Sequence, residues 1–233
     1  MNTIYLQLSH FKHKVYNNVR MLVFDMAGTT VNEKGIVYDT LYDTIKDFGL
    51  NISRSEINKW HGANKYEVLN HYLNKDNIKV NESVKIQLHN NFDNNLKERY
   101  FYSSSIDLID PNIPVLFNKI REKDIRIALN TGYSKDIQES IIKKLRMNEF
   151  VDNYISSDQV KLGRPHPFMI NKLMEKNNLF DPKSVIKFGD TRNDIFEGIN
   201  ANCLASIGVL SGADCEKKLS NSNYILKSVM NIC

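Results

Sequence analysis

The chain has 233 residues, 42% of them hydrophobic and 25% charged, with a formal net charge of +4. That length and balance suit one large globular domain or two modest ones, and the lysines are interspersed with acids rather than gathered into a stripe of the kind that binds nucleic acid. No apolar run approaches the roughly 18 residues needed to span a bilayer, so neither nucleic acid nor membrane is an expected partner.

In chain order, residues 1–19 carry Lys12 and Lys14 and no acid. They lack the apolar segment and cleavage site of a secretory signal and are read as a short extension, ordered or frayed. Leu22-Val-Phe-Asp25-Met-Ala27-Gly28-Thr29-Thr30 follows, an apolar run that delivers an aspartate to a tight turn. Such a run closed by glycine predicts a buried strand, and the carboxyl end of a parallel strand is where open α/β sheets bind ligands. Alone, it could equally be an ordinary strand-to-loop turn.

About a hundred residues separate this run from the next strand signal, far more than a βα crossover requires. Val37, Leu41, Ile45 and Phe48 recur at helical spacing up to Gly49, and residues 54–60, 65–74 and 83–101 are further helical candidates. Asn32 to Gly35 and the small polar run Ser103-Ser104-Ser105 are the expected hinges of this inserted unit. Beyond it the pattern alternates. Helices are predicted near 114–122, 135–145 and 168–177 and after Asp194, with strands at 125–130, 154–156, 185–188 and 204–209 and an edge strand at 224–226. Alternation of this kind predicts a parallel, doubly wound sheet. Cys203, Cys215 and Cys233 are odd in number and in no metal-ligand spacing, which suggests a reduced, cytoplasmic setting.

Three later segments bear on Asp25. Ile125-Arg-Ile-Ala-Leu-Asn-Thr131-Gly132 is a strand ending in a hydroxyl residue and glycine; Gly163-Arg164-Pro165-His166-Pro167 holds a cation in a proline-stiffened loop; Val185-Ile-Lys-Phe-Gly189-Asp190-Thr191-Arg-Asn-Asp194 ends in two carboxylates four residues apart. By itself Arg164 could be a surface arginine, and Asp194 also suits the start of a helix, where its charge can still face a cation.

Together and in this order, over about residues 20 to 210, Asp25, Thr131, Arg164 and the Asp190/Asp194 pair resemble the four motifs of the haloacid dehalogenase superfamily. The resemblance implies an α/β core at 20–34 and 105–233, with an all-helical cap inserted at 35–104. It also implies Asp25 as the nucleophile of phosphoryl transfer, passing through an aspartyl-phosphate. Mg²⁺ is the implied cofactor, held by Asp25, Asp190, Asp194 and the Ala27 carbonyl, and its preference for hard oxygen ligands matches this set. Thr131, the Gly132 amide and Arg164 would bind phosphoryl oxygens.

Most phosphatases of the superfamily carry a general acid two residues after the nucleophile, where this chain has Ala27. With Arg164 in the third motif, Asp-x-Ala-Gly-Thr-Thr resembles the phosphonatase branch, which cleaves a carbon–phosphorus bond of phosphonoacetaldehyde through a lysine Schiff base. In His61-Gly62-Ala63-Asn64-Lys65 the lysine keeps that branch's spacing, while His61 stands for its methionine and Val68 for its histidine. Three readings of Lys65 stay open: a solvated helical lysine, a cap lysine that binds the substrate anion, or the imine-forming amine. His61 is a loop histidine or a substitute acid. The substrate is expected to be a small phosphonate or phosphate, with a homodimer left open. A P–O phosphatase and a catalytically weak ligand-binding member are the alternatives.

Overall fold

The computed structural model describes residues 2–7, 13–60, 63–75, 81–102 and 106–232. The first 16 residues contribute β1 (Ile4–Gln7) and β2 (His13–Tyr16), which pair antiparallel. Ile4 and Leu6 are fully buried, Leu6 bridges to Ile232, and the Tyr16 ring stands edge-on to Tyr224 with centroids 6.4 Å apart. The extension therefore contributes its described residues to the core. Its alternating Ile-Tyr-Leu-Gln, apolar inward and polar outward, was the available signal. Leu6→Ala is expected to cost about 2–5 kcal/mol, as a buried leucine truncation does, read as a fall in the denaturation midpoint; an unchanged midpoint would show that the hairpin is dispensable.

β3 (Met21–Asp25) is buried throughout and lies at the centre of the sheet. β4 (Val31–Asn32) leads into α1 (Ile36–Asp47), whose Val37, Leu41, Thr44 and Ile45 form the buried face and which gives way to Gly49 in the left-handed conformation (φ +81°). α2 (Arg54–Ile57) starts at a Ser53–Glu56 capping box and passes into a single 3₁₀ turn. α3 (Lys65–Lys75) and α4 (Glu82–Tyr102) complete four helices that pack on one another through Leu41, Ile45, Val68, Leu69, Tyr72, Leu88, Phe92 and Leu96. β5 (Asp107–Leu108) then pairs antiparallel with β4, so the two strands that frame the inserted helices are clasped together. Asn32 of the first expected hinge belongs to this clasp; Ser103-Ser104-Ser105 lies outside the described residues.

The remainder alternates as predicted: α5 (Ile113–Arg121), β6 (Arg126–Thr131), α6 (Lys135–Lys144), β7 (Asn153–Ser156), α7 (Phe168–Lys176), β8 (Val185–Gly189), α8 (Arg192–Asn200), β9 (Ala205–Val209) and β10 (Tyr224–Leu226). The sheet order is β10-β9-β8-β3-β6-β7, and every pairing in it is parallel. Phe24 of β3 stacks on Phe117 and on Phe188 at 4.8 Å each, tying the central strand to α5 and β8. The strand order reverses between β3 and β8. That reversal is the point at which doubly wound sheets open a ligand crevice. Among the described residues no helix is long and apolar enough to cross a membrane.

Candidate active site

Asp25 ends β3, Asp190 follows β8, and Asp194 sits in the first turn of α8, so the crevice at the strand reversal collects three carboxylates. All three are buried, with ligand oxygens within 4.8 Å of one another. Local chemistry fixes each. The turn after Asp25 closes through Gly28 N to Val31 O at 2.8 Å, and the Thr30 hydroxyl donates to the Asp25 carbonyl at 2.9 Å. Asp190 accepts from the Thr29 hydroxyl at 3.1 Å and from the Ala213 amide at 2.7 Å. Gly28 (φ +78°) and Gly212 approach it so closely that a Cβ on either would collide with Asp190 Oδ2. Asp194 forms a capping box with Thr191, so the helix-cap and cation-facing readings of its position describe the same carboxylate.

Arg164 joins the cluster from the opposite side. Its Nη1 lies 2.7 Å from Asp25 Oδ1 and 3.0 Å from Asp194 Oδ1, its Nε donates to Glu197 Oε2 at 3.1 Å, and its Nη2 donates to the Asn130 carbonyl and side chain at 2.8 and 2.6 Å. At 4% exposure it is no surface arginine. Lys187, fully buried in β8, reaches Asp194 at 2.9 Å, Glu197 at 3.3 Å and Asn130 Oδ1 at 2.7 Å.

Four buried carboxylates thus face two buried cations. Burial pushes the Asp190 carboxyl well above its ordinary range, and the charges of Asp25 and Asp194 push it further. Asp25 is raised by burial and by Asp194 against the pull of Arg164 and Lys187; Asp194, despite its burial, is held low by those two cations. A hard divalent cation among the three aspartates would supply the missing positive charge, and an all-oxygen donor set suits one.

Lys65 opens α3 and turns inward. It is 5% exposed, and its Nζ donates to the Ala63 carbonyl at 3.0 Å and the Tyr38 hydroxyl at 3.2 Å, lying 4.7 Å from the centre of the Tyr38 ring. This removes the solvated-lysine reading. Helical position alone does not decide exposure at a junction where the helix start is covered by another layer. Burial brings the Lys65 amine down to about 8, with Arg164 acting in the same direction and Glu33 and Asp25 opposing. Lys65, Asp25, Ala27, Thr131, Gly132 and Arg164 line one cavity of about 390 Å³.

Thr131 ends β6 at 2% exposure, and Gly132 receives the inserted unit: a Cβ there would meet the Ala63 carbonyl at 2.8 Å. Asn64 Nδ2 donates to the Ser157 hydroxyl at 2.8 Å across the same junction. Val68 faces the apolar interior and is fully buried. His61 and Gly62 lie outside the described residues.

Sequence reading missed Lys187, Glu197 and Asn130, which hold Arg164 and Asp194 in place, and Glu33, which lines the cavity. The first two had signals. A lysine inside Val185-Ile-Lys-Phe interrupts a strand that is otherwise apolar on both faces, and Glu197 lies three residues after Asp194, hence on the same helix face.

A family model for haloacid dehalogenase-like hydrolases matches residues 22–208. The phosphonoacetaldehyde hydrolase of Bacteroides fragilis is 28% identical over 213 residues, covering 84% of this chain and 78% of its own. Among solved structures, a phosphonoacetaldehyde hydrolase-like protein from Oleispira antarctica superposes with a TM-score of 0.74 at 20% identity, covering 91% of this chain and 89% of its own. The β-phosphoglucomutase of Clostridium difficile superposes with a TM-score of 0.77 at 20% identity, covering 90% and 91%. At such identities the two structures speak for the fold.

Proposed function

The chain belongs to the haloacid dehalogenase-like hydrolases, and on that premise we propose that it hydrolyses the carbon–phosphorus bond of a small phosphono-aldehyde of the phosphonoacetaldehyde type. The observation that carries this reading is Lys65, a buried amine on the same cavity as Asp25. Ala27 supports it from the other side. Without a general acid beside the nucleophile, expulsion of an alkoxide forfeits about 10²- to 10⁴-fold in rate, whereas a carbon leaving group needs an electron sink instead. A buried lysine supplies one, because desolvation lowers its proton affinity and so raises the fraction of free, nucleophilic amine near neutral pH.

In this reading the Lys65 amine adds to the substrate carbonyl and expels water, giving an imine. An oxygen of Asp25 attacks phosphorus as the P–C bond breaks, and the bond's electron pair passes through carbon to the imine nitrogen, forming an enamine. Protonation at carbon and hydrolysis release the aldehyde and restore Lys65. Water then hydrolyses the aspartyl-phosphate, returning Asp25 and phosphate. Arg164, oriented by Glu197 and Asn130, and Thr131 with the Gly132 amide hold the phosphoryl oxygens. Asp25, Asp190, Asp194 and the Ala27 carbonyl would hold Mg²⁺, which neutralises charge on the transferring group.

Lys65→Arg tests the reading, because it keeps the charge and loses the nucleophilic amine. With phosphonoacetaldehyde, borohydride should trap a covalent adduct on Lys65 of the unaltered protein and inactivate it, and Lys65→Arg should form no adduct and release no phosphate. No adduct and no phosphate release with phosphonoacetaldehyde, beside Mg²⁺-dependent phosphate release from a phosphate monoester that Lys65→Arg retains, would replace this reading by P–O hydrolysis.

The cation has a test independent of turnover. Mg²⁺ at a hundredfold excess over its Kd should stabilise the fold by about 2.7 kcal/mol, seen as a rise in Tm. Asp190→Asn should abolish that rise; the same rise in both proteins would take Asp190 out of the metal shell.

A further inference from the structure

Glu33 is a buried carboxyl at the point where the inserted helices join the sheet. It follows β4 directly, and its Oε2 accepts hydrogen bonds from the hydroxyl of Tyr100, in α4, at 2.7 Å and from that of Tyr133, in the loop after β6; the two hydroxyl oxygens lie 3.0 Å apart. Among the described residues its Oε1 makes no hydrogen bond, yet the side chain lines the cavity that holds Lys65 and Asp25. No ion pair among the described residues joins Glu33 to Lys65, but its charge is the foremost of those opposing the loss of the Lys65 proton. The groups that face it are thus Tyr100 from α4, Tyr133 from the β6–α6 loop, Lys65 from α3 and, more weakly, Asp25 from β3.

A buried ammonium and a buried carboxylate lower their joint desolvation cost by passing a proton from one to the other. We propose that Glu33 is the proton-exchange partner of Lys65: it takes the ammonium proton, over one water or the Tyr38 hydroxyl, and returns it to the carbinolamine hydroxyl, which leaves as water. The step balances without outside help. Ammonium, carboxylate and aldehyde become protonated imine, carboxylate and water, and no proton is drawn from solvent. Val68, buried and apolar, offers no such service from α3. Burial moves the two groups toward each other, raising Glu33 and lowering Lys65, as a shared proton requires.

The inference rests on the imine reading above, and its test separates the two. Acetaldehyde, which carries no phosphorus and so makes no demand on Asp25 or a cation, is offered with cyanoborohydride, and the rate of adduct formation on Lys65 is followed by mass across pH. The unaltered protein should give a bell-shaped profile, because the productive pair holds one proton and both limbs belong to the pair. Glu33→Gln should lose about 10²-fold or more at the optimum and exchange the bell for a single rise with pH that follows Lys65 alone, the acid limb of the pair being gone. Tyr100→Phe should keep the limb but move it to higher pH, since the tyrosine hydrogen bond favours the ionised carboxyl. It is also the milder change should Glu33→Gln fold poorly. Adduct formation in Glu33→Gln at the unaltered rate, a slower rate with the bell shape intact, or an unmoved acid limb in Tyr100→Phe would each overturn the assignment of Glu33 alone. If the unaltered protein forms no adduct, the imine reading falls and this inference with it.

Discussion

Asp25→Asn is expected to lower phosphate release by a factor on the order of 10⁴ or more, as loss of a covalent nucleophile does. Asparagine keeps the shape of the side chain and an oxygen for Arg164, which approaches Oδ1 at 2.7 Å. It also removes one negative charge from a cluster in which burial and Asp194 already disfavour ionisation of Asp25. The fold should therefore survive, and Tm should hold or rise while turnover vanishes. The separation of the two readouts is the point of the experiment: residual turnover above a few per cent would place the nucleophile elsewhere, and a collapse in Tm would make the loss uninformative.

The second large effect concerns stability. Lys187→Met should destabilise the protein by about 3–5 kcal/mol, because it leaves a buried carboxylate pair short of its cation. For a chain of this size that corresponds to a fall in Tm of about 6–20 °C. Lys187 is fully buried. It sits in β8 against Asp194 and Glu197, which are themselves buried. Methionine fills a similar volume, so packing loss contributes little. Mg²⁺ should recover part of the loss by pairing with Asp194, which a cavity defect would not allow. A Tm within two or three degrees of the unaltered protein would mean that Glu197 and Asp194 share their charge with Arg164 alone.

A feature is legible in the sequence to the extent that its determinants are local. Asp25, Thr131 and Asp190 were legible because each stands at the carboxyl end of an apolar run, and in a parallel sheet all such ends fall on one edge. The four inserted helices were legible from the spacing of Val37, Leu41 and Ile45 and from the length of chain between strands. The docking of the extension was not. Its hairpin is stabilised by contacts to Tyr224 and Ile232, more than two hundred residues away along the chain, and no short window contains both partners. The β4–β5 clasp escaped for the same reason, since two strands of two residues each carry too little pattern to register.

The sequence by itself determined the parallel α/β core, the strand ends that carry the carboxylates, and the resemblance that the family match bears out. Only the tertiary structure decided the state of Lys65. A lysine at the start of an amphipathic helix reads as solvated, and it is the seating of Ala63 on Gly132 and of Tyr38 beside the amine that strips its water and lowers its proton affinity. The same holds for Glu33, Tyr100 and Tyr133, whose hydroxyls and carboxyl meet from separations of 67 and 100 residues. Burial and charge are properties of what surrounds a group, and that surrounding exists only once the inserted helices and the sheet have closed on each other.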